Sequence, residues 1–440
     1  MTITRLKLHT DDLSKIALSG KGVSDIRLYG VTGVQDTAHI GNRVADQVER
    51  LSVSTSTVAF DFLTIALAVT AADSITPRQE FGEDGWARVF DLDIPLVSPA
   101  TWMHVKERLE KALGFLSGDV WTLNFRASGR GKPSALNTRK RRVANLNGVD
   151  VVSLFSGGMD SWIGVTELVQ SGRVPLLVSH AYTGDRGYQN MVAASLKGRI
   201  ERFPVNASPI RRFAGHDTTM RTRSFNFIAF AAVAADSVAS LKTAGTRIPL
   251  HVPENGFIAL NAPLTHRRLG SLSTRTTHPH YLTELQTIFD EVGLASEIEN
   301  PYRHKTKGQM LATLKAAGGD TSVAVKTVSC GKWKRKNIQC GHCVPCIIRK
   351  SSFLAAGVPD DTPYGRTLTE AIDDYNIHLK DDVMAMAMAV QPASQSHLRR
   401  RALSSGPLPQ DPVERKGWFD VHEQGLYEVA NYLRTQGVIT

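Results

Sequence analysis

Two clusters in the sequence combine residue types and spacings that can do chemistry. The first is Ser156-Gly157-Gly158-Met159-Asp160-Ser161, after the apolar run Val151-Val152-Ser153-Leu154-Phe155. Helical spacing begins at Trp162, so the string reads as a strand, a phosphate-sized loop and a helix start. Gly157 and Gly158 would let a ligand approach the backbone with no Cβ in the way. The unpaired N–H groups of the first helical turn would point at an anion there. Ser156 and Ser161 add hydroxyl donors. Asp160 is out of place beside an anion unless it holds a cation, and Mg²⁺ bridging phosphate oxygens fits. The plain alternative is a Gly-rich turn with a Ser cap, and the strand-to-helix setting favours the phosphate loop. A Walker A loop is absent. The nearest stretch, Ser128-Gly129-Arg130-Gly131-Lys132-Pro133-Ser134, follows no clear strand-to-helix pattern, and Pro133 interrupts it.

The second cluster is Cys330-x9-Cys340-Gly-His-Cys343-Val-Pro-Cys346, which holds all four cysteines of the chain within 17 residues. A disulfide scaffold would scatter its cysteines through a small secreted chain. Four clustered thiolates suit Zn²⁺, which takes four soft ligands tetrahedrally and, with no open position left, is structural. An iron–sulfur cluster is the rival, because Cys-x2-Cys-x2-Cys spacing also serves iron. His342 is superfluous as a ligand once four cysteines are present.

Other candidates need more context. Arg221 and Arg223 precede the apolar helical stretch 228–239 and could grip ATP phosphate or a substrate carboxylate with bidentate forks. Surface charge is the alternative, though an Arg pair at a helix start opposes the helix dipole. Glu254 and Asn255 end a buried-strand pattern and could hydrogen-bond a heterocycle, or simply form a turn. Lys307 opens the helical stretch 310–317 and could reach phosphate, or be an ordinary charged helix start. His278-Pro279-His280 invites a second metal, but no carboxylate or cysteine stands at ligand spacing.

The elements that must position these residues follow from patterning. Residues 1–125 read as an accessory α+β domain. Strands are expected at 25–30, 87–96 and 121–125, a helix packed on a sheet at 57–72 and an amphipathic helix at 101–116. Residues 126–148 read as a basic linker. From 149 to 357 helical and buried-strand stretches alternate: helix 162–170, strand 174–180, helix 189–202, a strand from 202, and another at 250–253. Such alternation predicts an α/β, doubly wound parallel sheet, with ligands at the carboxyl ends of its strands. Residues 358–440 read as a helical extension, with helices at 368–389 and 423–436.

The bulk composition sets bounds. The chain has 440 residues, 42% hydrophobic and 21% charged, as in a globular protein of two or three domains. No apolar run reads as a membrane span and the first residues lack a secretory core, so a cytoplasmic chain without a membrane partner is expected. The net charge of +10 points to anionic partners, with nucleic acid not favoured over nucleotides. Part of the excess lies in two local runs, Arg139-Lys140-Arg141-Arg142 and Arg399-Arg400-Arg401.

The string Ser156 to Ser161 resembles the loop of the PP-loop ATPases, or N-type ATP pyrophosphatases. Their adenine nucleotide alpha-hydrolase-like sheet splits ATP to AMP and pyrophosphate while adenylating a substrate oxygen. Loop, Arg-bearing helix start and the late cysteine set followed by Arg349 occur in the order of the 7-cyano-7-deazaguanine synthase (QueC) family, over about residues 149–357. The resemblance implies that Ser156, Gly157, Gly158, Asp160, Ser161 and Arg221 bind ATP and Mg²⁺. It implies catalytic roles for Asp160, Ser161, Arg223 and Lys307, and structural zinc on Cys330, Cys340, Cys343 and Cys346. The implied substrate is a 7-carboxy-7-deazaguanine-type carboxylate, passed to ammonia or to an amine of a partner protein; Glu254 and Asn255 are the candidates to hold it from their place at the strand end, not from the resemblance. The family's substrate stretch, an acidic residue before Ser-Gly-Tyr-Pro-Asp-Cys, is replaced here by His251-Val-Pro-Glu-Asn-Gly-Phe. That stretch, Ser273-Thr-Arg-Thr-Thr-His-Pro279 and Thr306-Lys-Gly look more like the QueC-like proteins of bacterial antiphage systems, the Qat system foremost. A tRNA-modifying PP-loop enzyme and a nucleotide-binding scaffold in a defence complex are the alternatives.

Overall fold

A computed structural model of the chain describes residues 2–30, 34, 37–40, 43–134, 143–180, 184–211, 221–264, 275–333 and 338–440. The basic run at 139–142, His266, Arg267 and Arg268, and the first residues of the 273–279 stretch lie outside the described residues. In chain order the strands are β1 (Ile3–His9), β2 (Val23–Arg27), β3 (Ala38–His39), β4 (Val89–Leu96), β5 (Val120–Ala127), β6 (Val151–Leu154), β7 (Pro175–His180), β8 (Glu201–Val205), β9 (Ile210–Arg211), β10 (Ile248–His251) and β11 (Ser296–Glu299).

They form two sheets. One runs β5-β4-β1-β2-β3-β9, parallel except where β9 pairs antiparallel with β3. The other runs β11-β10-β6-β7-β8 and is parallel throughout. Every residue of β7 is buried, as a central parallel strand covered on both faces requires. The α/β class and the helical C-terminal region are therefore present, and β6, β7 and β10 aim their carboxyl ends towards the loops that hold the candidate residues.

Helices between the sheets join the two layers. Helix Thr57–Ile75 packs on β4 and against helix Arg223–Ala239, which in turn lies on β6, β7 and β10. One buried apolar cluster runs through both sheets and both helices. Phe62 stands at the junction: it stacks on Trp102 at 5.7 Å and meets Phe225 and Phe289 edge-on at 5.3 and 5.1 Å. Helix Thr57–Ile75 is apolar on all faces because it is enclosed on all faces. The sequence expectation of no membrane-length apolar run needs correcting here. This helix is long and apolar enough to cross a bilayer, yet it lies inside the fold.

Other helix boundaries also shift. The stretch 101–116 forms two helices, Pro99–Met103 and Lys106–Ser117, and still buries Trp102, Val105, Leu109, Leu113 and Leu116. Helix Arg186–Ala194 stops short of 202, where the Ser195 hydroxyl takes the Val192 carbonyl at 2.6 Å. The expected helix over 368–389 is divided into Leu368–Asp373 and Ile377–Ala389, because Asn376 caps a new start by accepting from His378 N. A further helix, Gln395–Leu403, precedes the long final helix Pro412–Thr435.

Candidate functional site

The phosphate-sized loop stands at the carboxyl end of β6. Gly157 has φ +78°, in the left-handed region, and a Cβ there would lie 2.8 Å from the Tyr188 ring and 3.0 Å from Gln189 Cγ. Glycine is therefore required twice, by the backbone and by its neighbours. Gly158 precedes helix Met159–Gln170 and offers no capping side chain. No side chain caps the first turn, the arrangement an anion site would use. The two serines shape this turn. Ser156 Oγ accepts from Gly158 N at 3.2 Å, Ser161 Oγ donates to the Gly158 carbonyl at 3.0 Å, and the hydroxyls lie 3.3 Å apart.

Asp160 is buried at the start of the helix and meets three other candidates. Lys307 Nζ donates to Oδ1; Asn255 donates to Oδ2 through its backbone N at 3.1 Å and its side-chain amide at 2.6 Å. Glu254 lies against the same group, with its Oε1 3.3 Å from Asn255 Nδ2. Burial pushes the Asp160 carboxyl up, but Lys307 and the donors around it outweigh burial and hold it below its ordinary value. Burial, and then the Asp160 charge, push Glu254 well above the ordinary range, so of the two carboxyls Glu254 is the one that favours its proton. Asp160 was expected to hold Mg²⁺. In this structure both of its oxygens are engaged by protein donors, and the cation against it is a lysine ammonium.

Each arm of the cluster is fixed locally. Asn255 caps helix Gly256–Leu260 by accepting from Ile258 N at 3.0 Å. Asn300 donates to the Glu254 carbonyl at 2.9 Å. Thr306 and Gln309 form a capping box that starts helix Lys307–Ala316 at the lysine itself.

A cleft of about 430 Å³ opens beside the loop, lined among others by Ser156, Tyr188, Gln189, Arg223, Phe227 and Trp333. Tyr188 meets Trp333 edge-on with centroids 5.8 Å apart. Arg223 lies over Phe227 and reaches Asp185 at 3.4 Å. Arg221 does not come to the loop. It donates to the Ser117 carbonyl at 3.0 Å and lies 4.0 Å from the Trp86 ring centre, in the N-terminal layer. The adjacent Thr222 is held by Asp73, which also pairs with Arg88. The arginines share a helix start, but only Arg223 faces the cleft.

The four cysteines converge, with all ligand sulfurs within 4.8 Å of one another. Cys340 and Cys346 stand 3.9 Å apart, and Cys330 and Cys343 4.0 Å. A tetrahedron of Zn–S bonds of about 2.3 Å has edges of roughly 3.8 Å. The set thus fits one tetrahedral ion, whereas an iron–sulfur cluster spreads its cysteines over several metal atoms. Backbone N–H groups of Lys332 and Cys340 point at Cys330 Sγ, each at 3.3 Å, and steady a thiolate there. His342 turns away, with Nδ1 3.1 Å from the Cys340 carbonyl. Arg349 is buried and ties the segment before the cluster to its helix through Thr327 and the Ala324 carbonyl, both at 2.7 Å. His278 and His280 make no metal pair: His278 Nδ1 faces His280 N, and Nε2 faces Ser405 Oγ.

Residue patterning alone missed Tyr188, Gln189, Phe227 and Trp333. Gln189 is legible only as the start of a helix, Tyr188 only as the residue before it, and Trp333 only as a residue near the cysteines; Phe227 has only its place beside the Arg pair.

The fold and site define an α/β protein with a Gly-rich strand–loop–helix turn, a buried Asp–Lys–Asn–Glu cluster and a four-cysteine centre able to bind a metal. The chain matches no family model. It is 37% identical over 70 residues to the 7-cyano-7-deazaguanine synthase of Syntrophobacter fumaroxidans, covering 16% of this chain and 29% of that protein. To the synthase of Pseudomonas paraeruginosa it is 34% identical over 83 residues, 19% of this chain and 36% of the other. To that of Thiobacillus denitrificans it is 35% identical over 85 residues, 19% and 37%. The chain thus matches 29 to 37% of the length of these relatives, and part of it is QueC-like.

Proposed function

We propose that this chain splits ATP into AMP and pyrophosphate while adenylating a carboxylate, and that the carboxylate belongs to a 7-deazaguanine-type base. The observation that carries the reading is the Asp160–Lys307 pair at the phosphate loop. It sets a lysine ammonium beside a helix start that no side chain caps, which supports a role in holding phosphate. The partial similarity to 7-cyano-7-deazaguanine synthases supports the substrate class.

ATP would lay its β- and γ-phosphates on the N–H groups of the first helical turn, with Ser156 and Ser161 beside them. Mg²⁺ brought with the nucleotide would supply positive charge to offset the phosphates beside Ser156 and Ser161. A substrate carboxylate oxygen attacks the α-phosphorus; an O–P bond forms, the α–β bridging P–O bond breaks, and its electron pair leaves with pyrophosphate. Lys307 and Arg223 stabilise that departing charge. An amine nitrogen then attacks the activated carbonyl carbon, AMP leaves with the C–O electrons, and the amine proton goes to solvent. Tyr188, Phe227 and Trp333 supply flat apolar walls for a heterocycle, in a cleft of ordinary ligand size.

The amine is ammonia or belongs to a partner protein of a defence operon, and the similarity in Glu254-Asn255-Gly256 to QueC-like antiphage proteins favours the defence setting. The test is pyrophosphate release from Mg²⁺-ATP with 7-carboxy-7-deazaguanine and ammonium as the amine. Turnover in the wild type and its loss in Asp160→Ala supports the reading; equal rates in the two proteins overturn it. Mass spectrometry of co-expressed neighbouring proteins, searched for a deazaguanine-sized adduct, separates the two amines.

A further inference from the structure

The final helix, Pro412–Thr435, packs along helices Val344–Ala356 and Gly256–Leu260. Within it Glu428 is buried, at 7% exposure, although nothing about a mostly polar tail helix requires a carboxylate inside. Its Oε1 accepts from Thr306 Oγ at 2.5 Å and from Gln424 Nε2 at 3.3 Å, and its carboxylate also takes the Gly308 N–H. Thr306, Lys307 and Gly308 are the cap and first turn of the helix that carries the lysine. Gly308 makes the approach feasible: a Cβ there would lie 2.6 Å from Glu428 Oε2 and 2.9 Å from Ala355 Cβ. The helix start therefore receives a carboxyl acceptor from the tail, at the end where the helix dipole favours one.

The same helix braces the other arm of the cluster. Gly425 lets Phe257 lie flat against it, since a Cβ at Gly425 would be 2.3 Å from the Phe257 ring. Phe257 belongs to the helix that Asn255 caps. Both groups that fix Asp160, the Lys307 ammonium and the Asn255 amide, thus stand on helix starts held by residues 425–428.

We infer that Glu428 is a positioning residue: it locks the first turn of helix Lys307–Ala316 and so aims Lys307 at Asp160. The tail is then part of the site's framework. The inference rests on the proposed function only for its kinetic consequence.

The test compares Glu428→Ala and Glu428→Gln with Glu414→Ala, which breaks the exposed Arg303 pair on the same helix. Each full-length protein is acetylated with limiting reagent, and the modification rates of Lys307 and Lys315 are read by peptide mass spectrometry. Lys315 stands in the last turn of the same helix and reports its general loosening. Lys307 in Glu428→Ala should react faster by roughly an order of magnitude, the size set by losing one hydrogen bond to a charged group. Lys315 should not change. Glu428→Gln retains a carbonyl acceptor for Thr306 and should fall between; it also carries the test should the alanine variant not fold. Glu414→Ala should leave both lysines as in the wild type. In the kinetic arm, Glu428→Ala should lower kcat for pyrophosphate release more than it raises KM for ATP. Unchanged Lys307 reactivity in both Glu428 variants, or Lys307 and Lys315 rising together, overturns the inference. Absence of turnover in the wild type would sink the proposed function and leave the labelling result to decide this one.

Discussion

At the scale of single residues, Asp160 carries the account. It is a buried carboxylate kept ionised by Lys307 and Asn255, beside a Glu254 that favours its proton. Removing the lysine leaves an uncompensated charge in the interior. Lys307→Met should therefore destabilise the protein by about 3–5 kcal/mol, seen as a lowered Tm, and Asp160→Asn/Lys307→Met should recover part of that loss. The pair also sets a pH signature. Unfolded, Glu254 ionises near 4.5; folded, it holds its proton to a higher pH. Between those values the folded state binds a proton that the unfolded state lacks, so stability falls as pH rises through the window. Asp160 has the opposite sign: its stabilisation is present above its ordinary value of 3.8 and is lost as pH falls through its depressed folded value. Glu254→Gln should abolish the alkaline loss, and its Tm should gain on the wild type as pH increases. Parallel Tm curves would contradict this. Asp160, Glu254, Asn255 and Lys307 are each visible in the sequence because each ends a strand pattern or begins a helix. Arg221 misleads there because its contacts, Ser117 and Trp86, lie more than 100 residues away, beyond any local pattern.

At the scale of elements, the phosphate loop and the cysteine loop share a cleft. Cys330, Gly331, Lys332 and Trp333 line it opposite Ser156 and Tyr188. A bound zinc would hold that wall as well as its own loop, because the binding energy of a structural site is folding energy. The purified protein should contain one zinc per chain by metal analysis, and chelation should lower both Tm and ATP affinity. Chelation that leaves ATP affinity intact would separate the loop from the cleft. The loop itself is sensitive to one methyl group. Gly157→Ala meets both a left-handed backbone and Tyr188, a combined strain of roughly 1–3 kcal/mol, and ATP binding by calorimetry should be lost or much weakened. These elements are legible because local signals define them: an apolar strand, two glycines, a run of thiolates. Their common cleft is not, since it depends on which helix lies over which loop end.

For the whole molecule, the two sheets share one core through Phe62, Trp102, Phe225 and Phe289. Residues 1–125 read in sequence as an accessory domain. Their helix Thr57–Ile75 nevertheless covers helix Arg223–Ala239, and β9 joins the N-terminal sheet. A chain beginning at residue 149 should therefore expose a large apolar face and aggregate, as light scattering would show. Such packing is hidden from sequence because an all-round apolar helix shows that it is enclosed and not by what.

The central claim is that the Asp160–Lys307 site splits ATP at the α-phosphorus when a deazaguanine carboxylate is present. The direct measurement is the rate of pyrophosphate and AMP formation from Mg²⁺-ATP with 7-carboxy-7-deazaguanine and ammonium as the amine, for the wild type and for Asp160→Ala. The account predicts equal amounts of both products from the wild type and a loss of turnover in the variant. Turnover in Asp160→Ala as fast as in the wild type, or release of ADP and phosphate instead, would contradict it.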